Sequence, residues 1–319
     1  MNRNKKRCKV VFIMLSDRPY HCIMANLLLE QIASGIQDVY ETNIVRIADN
    51  KESLHDVISS VICRRAPDVL ITIGEQCTIA AKSVVDEMNN GHPIIFVGVR
   101  DPLYHKLIDS YEKPNGCFTG VVRESAPILA EAEYFSLLYP TVRTVLVPYS
   151  ENDPHLLSRA RELKRYLTSI GMNVFIAPIN ANTQDLVALI KSYVSRIKGL
   201  IFLEGCYSNS AQAEVAFLCW QHEIIFFGSG LYAIDNGAAC ALGGQLQPLA
   251  EETYKKLRLF WEKRTLISSI PVTVLPTDAE FLVNINSLRR LDIATDEIVR
   301  ICSTPKVKAV RILTKPFRR

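Results

Sequence analysis

The sequence lacks any apolar run that approaches the roughly 20 residues of a membrane-spanning helix. It also lacks basic patches interleaved with aromatic residues, which are typical of nucleic-acid-binding proteins, and has only two Trp. What remains is an ordinary composition of 319 residues, 48% of them hydrophobic and 22% charged. We therefore expect a globular protein of two medium-sized domains, with no transmembrane segment and no nucleic acid as partner.

Patterns for metals, cofactors and several enzyme classes are missing as well. The nine Cys are an odd number without a Cys-x-x-Cys spacing, which argues against a disulfide framework and a zinc site. The six His show no metal-ligand spacing. There is no Gly-x-Ser-x-Gly elbow, no Walker loop, and no Gly-x-Gly-x-x-Gly after the first strand. The sequence therefore predicts neither a metal nor a cofactor.

The two ends of the chain carry much of the net charge of +4. We interpret both as solvated tails, the C-terminal one covering residues 304–319. The basic start precedes only six apolar residues, at 10–15, which are too few for the core of an export signal. We expect the chain as given to carry no export signal.

Short apolar runs alternate with helical patterns along most of the chain. Continuous apolar runs are typical of parallel strands that are covered on both faces. A first series has strands near 10–15, 43–48, 69–74 and 93–99, with helices near 22–36, 52–64, 77–89 and 102–110. A second has strands near 144–149, 173–179, 199–203, 224–228 and 238–242, with helices near 128–138, 154–170, 183–196 and 210–221.

The last third of the chain adds three more predicted elements. An amphipathic helix covers 248–264, a strand with Pro at its ends covers 270–275, and a β run from 281 turns directly into a helix. Two tandem β-α series predict an α/β protein with two doubly wound, Rossmann-like lobes and a central ligand cleft. We predict that residues 1–119 and 247–268 form one lobe and that residues 120–246 and 269–303 form the other.

Ligands of open parallel sheets bind beyond the carboxyl ends of the strands. The predicted strands place Tyr20 and Glu75 there in the first lobe, and Tyr207 in the second. The two tyrosines would clamp a flat ligand, unless they simply pack on the surface. The charged side chain of Glu75 would lower stability at this place unless it is solvated or paired. It would be a suitable partner for a ligand's ammonium group.

Other residues in these loops have alternative interpretations. Asp101 and Ser208 are also good helix N-caps. Cys77 and Cys206 each follow a strand at a helix start, an arrangement that cofactor-independent amino-acid racemases use for proton transfer. The alternative is that both thiols are small buried side chains.

Five segments carry a resemblance to a known family. Residues 93–102 (PIIFVGVRDP) are similar to P-I-V-F-V-G-V-T-D-P, residues 118–121 (FTGV) to N-V-T-G-V, and residues 139–145 with 149–152 to P-N-A-K-R-V-G-V-L-Y-N-P-G-E-x-N. Residues 270–272 and 283–286 (VNIN) complete the set. Together they resemble the solute-binding proteins of ABC importers with the type I periplasmic-binding fold, in the tryptophan, tyrosine and phenylalanine subfamily. After the third strand, this chain has Glu75-Gln76 where that family has a small residue and Pro.

The resemblance implies that two lobes joined by three crossovers close over an amino acid or an analogue. It implies ligand contacts from the following residues: Ser16, Asp17, Gln76, Thr78, Asp101, Asn152, Ser208 and Ser229. It also implies an ABC permease as partner and a location outside the cytoplasm. We therefore expect a binding protein and not an enzyme, with a cytoplasmic ligand sensor as a further alternative.

Overall fold

The computed structural model describes residues 7–16, 18–35, 39–48, 53–123, 128–151, 154–179, 183–203, 209–230, 233–276, 279–290, 296 and 310–313. The chain divides into two units, the first made of Met1–Ser125 and Gln245–Thr277, the second of Ala126–Gly244 and Asp278–Arg319. The chain therefore passes from one unit to the other three times.

The elements alternate as the apolar runs predict. The first part of the chain has β1 Cys8–Leu15, α1 Pro19–Ser34, β2 Tyr40–Ile47, α2 Leu54–Arg65, β3 Val69–Ile73, α3 Glu75–Met88, β4 Ile94–Val97 and β5 Phe118–Arg123. The middle part has α4 Ile128–Leu138, β6 Thr144–Ser150, α5 Pro154–Ser169, β7 Asn173–Ile179, α6 Thr183–Tyr193, β8 Gly199–Ile201, α7 Asn209–Gln221, β9 Ile225–Ser229 and β10 Cys240–Gly244. The last part has α8 Gln247–Trp261, a 3₁₀ turn Ile267–Ser269, β11 Thr273–Leu275, β12 Ala279–Asn284, α9 Ile285–Arg290 and β13 Val310–Leu313.

The first unit holds a six-stranded sheet in the order β11-β5-β4-β3-β1-β2. All its strand pairs are parallel. Its central strands are buried on both faces, as β3 shows with five buried residues in a row. β11, the strand with Pro at its ends, lies at the edge of this sheet, where a missing N–H costs least.

The second unit holds a seven-stranded sheet in the order β13-β12-β10-β9-β8-β6-β7. Among its described strand pairs, only β10 and β12 run antiparallel. Aromatic side chains fill one layer of its core, where Phe227 packs against Phe135 and Phe281. The predicted α/β class with two doubly wound sheets is confirmed.

Three sequence predictions differ from the structure. The helix predicted near 102–110 is wrong, because residues 102–106 form turns that include Lys106 with a φ of +52°. β5 is not among the predicted strands. The predicted solvated tail at 304–319 is wrong for residues 310–313, which pair with β12 as β13, and its other residues lie outside the described part of the chain.

β5 and β11 also affect where the units divide. Both strands belong to the sheet of the first unit, so that unit extends to residues 125 and 277, beyond the predicted limits of 119 and 268. A Cβ on Gly120 of β5 would lie 2.3 Å from the carbonyl oxygen of Phe96, so β5 can approach β4 this closely only with glycine here.

The segment that leads into β11 is held by two buried side chains. Thr119 Oγ1 donates a hydrogen bond to the carbonyl oxygen of Ile270 over 2.7 Å. Lys256 of α8 donates to the carbonyl oxygen of Pro271. Only 4% of Lys256 is exposed, and burial lowers the pKa of its ammonium group to about 8. Both of these buried polar side chains therefore have hydrogen-bond partners within the first unit.

None of the helices in the described part of the chain is both long enough and apolar enough to cross a membrane.

Candidate functional site

The carboxyl ends of β1, β3 and β4 lie at one edge of the first unit's sheet, because these strands are parallel neighbours. Of the predicted first-unit site residues, Ser16, Tyr20, Glu75, Gln76, Thr78 and Asp101 are described, and all follow one of these strands. Asp17 lies outside the described residues. The edge can therefore be built from side chains that the sequence singles out.

Tyr20 and His21, in the first turn of α1, lie over two glycines at this edge. A Cβ on Gly98, after β4, would lie 2.5 Å from the hydroxyl oxygen of Tyr20. A Cβ on Gly74, after β3, would lie 2.3 Å from Nε2 of His21. Both glycines have a positive φ, +79° at Gly98 and +89° at Gly74, which favours glycine for a second reason. The start of α1 thus packs directly on the backbone that ends β3 and β4.

His21 has a fixed orientation. Its Nδ1 accepts a hydrogen bond from the backbone N–H of Leu15 over 3.1 Å, so in the neutral ring the proton lies on Nε2. The His21 ring also meets the Tyr20 ring edge to face, with centroids 5.8 Å apart. The sequence did not point to His21, because the spacing of the histidines indicates only whether they could bind a metal. His21 orients Tyr20 and links α1 to the end of β1.

Glu75 is the first residue of α3, and its carboxylate forms a charged cluster. Its Oε1 lies 3.3 Å from a guanidinium nitrogen of Arg100 and 3.4 Å from Nε2 of His105. Its Oε2 accepts from the backbone N–H of Arg100 over 3.3 Å. The exposed fraction of the side chain is 22% for Glu75, 31% for Arg100 and 18% for His105. The cluster is therefore within reach of a ligand.

The cluster explains how this edge tolerates an acid. A carboxylate at a helix N-terminus is favoured by the helix dipole, and Arg100 supplies an opposite charge. Glu75 and Arg100 also occupy positions where the aligned family pattern has a small residue and Thr. The two departures from that pattern therefore contact each other.

Thr78 and Cys77, by contrast, are fully buried. The Thr78 hydroxyl donates to the carbonyl oxygen of Gly74 and lies 2.9 Å from the Thr72 hydroxyl, so it ties α3 to β3. Cys77 is buried in the apolar core with Val11 and Phe96. A racemase thiol must contact its substrate, and the buried position of Cys77 favours the packing interpretation.

Of the other predicted residues, Asp101 and Ser16 form hydrogen bonds with the backbone, and Gln76 is exposed. Asp101 Oδ1 accepts from the backbone N–H of Tyr104 over 2.9 Å and so caps the turn that follows β4. Ser16 donates to the carbonyl oxygen of Ile47 over 3.3 Å. Gln76 is exposed at the start of α3. Ligand contacts from these residues stay predictions.

Most of the predicted second-unit residues lie outside the described part of the chain. These are Asn152, Tyr207 and Ser208, together with Cys206 of the racemase hypothesis. Ser229 is the last residue of β9, and its side chain is outside the description too. Their contacts also stay predictions.

Gln212 is a buried polar residue that the sequence analysis did not single out. It is the fourth residue of α7, the helix that follows β8, and only 6% of it is exposed. Within the part of the chain that the structure describes, its amide oxygen has no hydrogen-bond partner. A polar residue on the apolar stripe of α7, beside Ala216 and Cys219, was the available signal.

Comparisons with known proteins identify the family of this chain. The sequence pattern of the family described as ABC transporter substrate binding protein matches residues 29–307. A protein of Clostridioides difficile (strain R20291) named tyrosine-binding protein is 24% identical over 269 residues, which cover 83% of this chain and 75% of that protein.

Solved structures share the fold at low identity. An ABC domain from Streptococcus pneumonia in complex with L-Trp has a TM-score of 0.80 and 16% identity, and the match covers 96% of this chain and 100% of that one. The ligand-free, open structure of a substrate binding protein with adhesive properties from Clostridium difficile has a TM-score of 0.66 and 17% identity, covering 97% and 100%. The family match spans most of the chain, and the predicted type I periplasmic-binding fold is confirmed. This protein therefore belongs to the ABC transporter substrate-binding proteins.

Proposed function

We propose that this protein is the solute-binding component of an ABC importer and that it binds an amino acid, with aromatic amino acids as the first candidates. The Glu75–Arg100 pair at the carboxyl edge of the first unit's sheet carries the proposal. A zwitterionic ligand offers one group of each sign to such a pair.

The geometry of the pair suits exchange with a ligand. Charge-assisted hydrogen bonds are usually about 2.7–2.9 Å long. The contacts of Glu75 with Arg100 and His105 are 3.3–3.4 Å long, so little is lost when a ligand replaces one of them. The ligand's α-ammonium group would then face Glu75, and its α-carboxylate would face Arg100. A hydrogen bond to a charged group contributes about 1.5–3 kcal/mol.

Tyr20 supports the choice of an aromatic ligand. Tyr20 is partly exposed, and it packs against Gly98. Its ring therefore has a fixed position before a ligand binds. An aromatic pair contributes about 0.5–1.5 kcal/mol beyond the area it buries. The relative named tyrosine-binding protein and the domain solved with L-Trp support the same class of ligand.

We infer that binding is coupled to hinge closure. The chain passes between its two units three times, so each unit can move as a body about these three connections. The residues predicted at strand ends of the second unit, Asn152, Tyr207, Ser208 and Ser229, would complete the site in the closed form. A ligand that contacts both units binds the closed form more tightly and shifts the population toward it.

Calorimetric titration with charge-deleted ligands tests the proposal. We expect the protein to bind at least one of L-tryptophan, L-tyrosine and L-phenylalanine. The matching analogues without the ammonium group or without the carboxylate, such as 3-phenylpropionate and phenethylamine, should bind at least about tenfold more weakly, a difference of about 1.4 kcal/mol. Failure of all three amino acids to bind would contradict the proposal.

The variant Glu75→Gln tests whether Glu75 is the residue that binds the ligand's ammonium group. In this variant, the preference for L-phenylalanine over 3-phenylpropionate should shrink about tenfold, because the carboxylate that favours the ammonium group is gone. Asp86→Asn is the matched control, since Asp86 lies on the same helix and pairs with Lys82 on its exposed face. An unchanged preference in Glu75→Gln would remove Glu75 from the site.

Two further measurements address closure and chemistry. We expect the radius of gyration from small-angle X-ray scattering to fall when a bound amino acid saturates the protein. Under this proposal nothing reacts, so an L-amino acid incubated with the protein in deuterated water should gain no deuterium at the α-carbon. Deuterium at that carbon would instead support the racemase alternative.

We also infer where the protein acts and what receives its ligand. The family to which it belongs serves ABC transporters, so the closed form would be presented to a membrane permease outside the cytoplasm. Stimulation of the permease's ATPase by the liganded protein, and not by the ligand-free protein, is the expected result.

A further inference from the structure

Gln212 is buried, and its amide oxygen has no hydrogen-bond partner in the described part of the chain. Leaving a buried acceptor unsatisfied costs about 1–3 kcal/mol, and such groups in folded proteins have an explanation in strain, function or a missing partner. Hydrophobic residues of similar size would fill the same space without this cost. A glutamine at this position therefore calls for a hydrogen-bond partner of its amide oxygen.

The position of Gln212 on α7 indicates where that partner lies. Side chains of an α-helix lean toward its N-terminus, so the amide of the fourth residue lies beside the first turn. That turn follows the carboxyl end of β8, which is a central strand of the second unit's sheet. Open parallel sheets bind their ligands at this end. The amide is therefore placed at the ligand-binding edge of its unit.

The first unit provides the comparison. β3 and β8 hold the same place in the strand orders of the two sheets, and α3 and α7 follow them. Thr78 is the fourth residue of α3, as Gln212 is of α7. The Thr78 hydroxyl is satisfied within its own unit, by Gly74 and Thr72. The same helix position thus has an internal partner in the first unit, whereas in the second unit the amide oxygen has none among the described residues.

We propose that Gln212 is a specificity-determining residue whose amide oxygen accepts a hydrogen bond from an N–H or O–H group of the bound ligand. The proposal rests on the proposed function, and it restricts the ligand to molecules with a hydrogen-bond donor that faces the second unit. The ligand then supplies the partner that the described residues of the chain do not.

Gln212→Met tests this, because methionine fills a similar volume without the amide. L-Tryptophan, L-tyrosine and L-phenylalanine serve as probes, and the one that binds the wild-type protein most tightly is titrated against both proteins. We expect its affinity to fall at least tenfold. We expect the Tm of the ligand-free variant to stay the same or to rise by about 1–3 °C, since an unsatisfied acceptor is removed.

Gln221→Met is the matched control, because Gln221 is exposed at the other end of α7. It should change neither the affinity nor the Tm. If Gln212→Met binds the probe as tightly as the wild-type protein does, the proposal is wrong, and a buried water molecule is the better partner. A fall in the ligand-free Tm of more than a few degrees would also overturn it, because Gln212 would then hold the fold together.

Gln212→Leu covers the case in which the Met variant does not fold, and loss of folding in both overturns the proposal. Failure of the proposed function looks different. In that case, the wild-type protein itself binds none of the probes, and the inference about Gln212 falls with it.

Discussion

Gly98 and Gly230 hold the same place in the two units, but their surroundings differ. Gly98 directly follows β4 and Gly230 directly follows β9, and both have a φ of +79°. A Cβ on Gly98 would lie 2.5 Å from the hydroxyl oxygen of Tyr20. A Cβ on Gly230 would have no atom of the described chain within 4 Å. At this point the first unit's sheet edge is filled by its own unit, whereas the second unit's edge has space beside its glycine among the described residues.

The fourth residues of α3 and α7 show the same difference. Thr78 is satisfied by Gly74 and Thr72, whereas the Gln212 oxygen lacks a partner among the described residues. The two units thus differ in the same way at both pairs of positions. We infer that these two positions of the first unit are organised before the ligand arrives and that the ligand completes those of the second. A binding site gains affinity from a pre-organised part, because less conformational freedom is lost on binding.

The largest expected effect comes from filling the two glycine positions. Gly98→Ala should lower the free energy of unfolding by about 3 kcal/mol, from the strained φ together with the clash against Tyr20. Gly230→Ala should cost only about 1 kcal/mol, because the strained φ is its sole penalty. Equal losses at the two positions would break the comparison.

The two Trp residues allow each unit to be measured separately. Trp261 lies in the first unit and Trp220 in the second. Gly98→Ala is therefore followed by urea denaturation in a Trp220→Phe background, and Gly230→Ala in a Trp261→Phe background. Each unmutated background protein is the reference for its own variant.

The next prediction concerns the protonation of Lys256, a buried side chain of the first unit. Burial lowers the pKa of Lys256 to about 8, below its ordinary value of 10.5. Between these values the folded protein has released a proton that the unfolded chain still holds, so stability rises with pH. Relative to Lys256→Met, the wild-type protein should gain about 2 kcal/mol between pH 8 and pH 10.

Denaturant unfolding at pH 7, 8, 9 and 10 measures this gain. Below pH 8 the lysine is protonated in both states, and the difference from Lys256→Met should stay constant. Lys255→Met is the control, since Lys255 is exposed beside Glu252 and should leave the wild-type pH dependence in place over this range. A flat difference from pH 8 to pH 10 would mean that Lys256 keeps its charge when buried.

Thr78→Val should have a smaller effect, a loss of about 1–2 kcal/mol, because the Thr72 hydroxyl is left buried without its acceptor. Thr78→Ser retains the hydroxyl and should lose only about 1 kcal/mol or less, the cost of one buried methyl group. Urea denaturation followed by Trp261 fluorescence separates the two. A loss of stability in the serine variant as large as in the valine variant would show that packing matters here more than the hydrogen bonds.

The sequence predicted the elements whose stabilising pattern is local. β7 and α4 have the predicted bounds, because each is a continuous apolar or amphipathic segment. β5 was missed because Gly120 interrupts its apolar run. Its reason for being a strand is the close approach to Phe96, a contact between distant residues. The helix predicted near 102–110 failed in the opposite way, because Asp101 caps a turn that does not continue.

The order of apolar runs alone determined two α/β sheets of mainly parallel strands and the sheet edges where a ligand would bind. Their physical basis is hydrophobic periodicity, which a chain shows without reference to its distant parts. Only the tertiary structure decided which polar side chains find partners. It turned Thr78 inward, set Glu75 against Arg100, and buried Gln212 without a partner among the described residues. Such contacts join residues far apart in sequence or depend on how a helix packs, and local pattern carries no record of either.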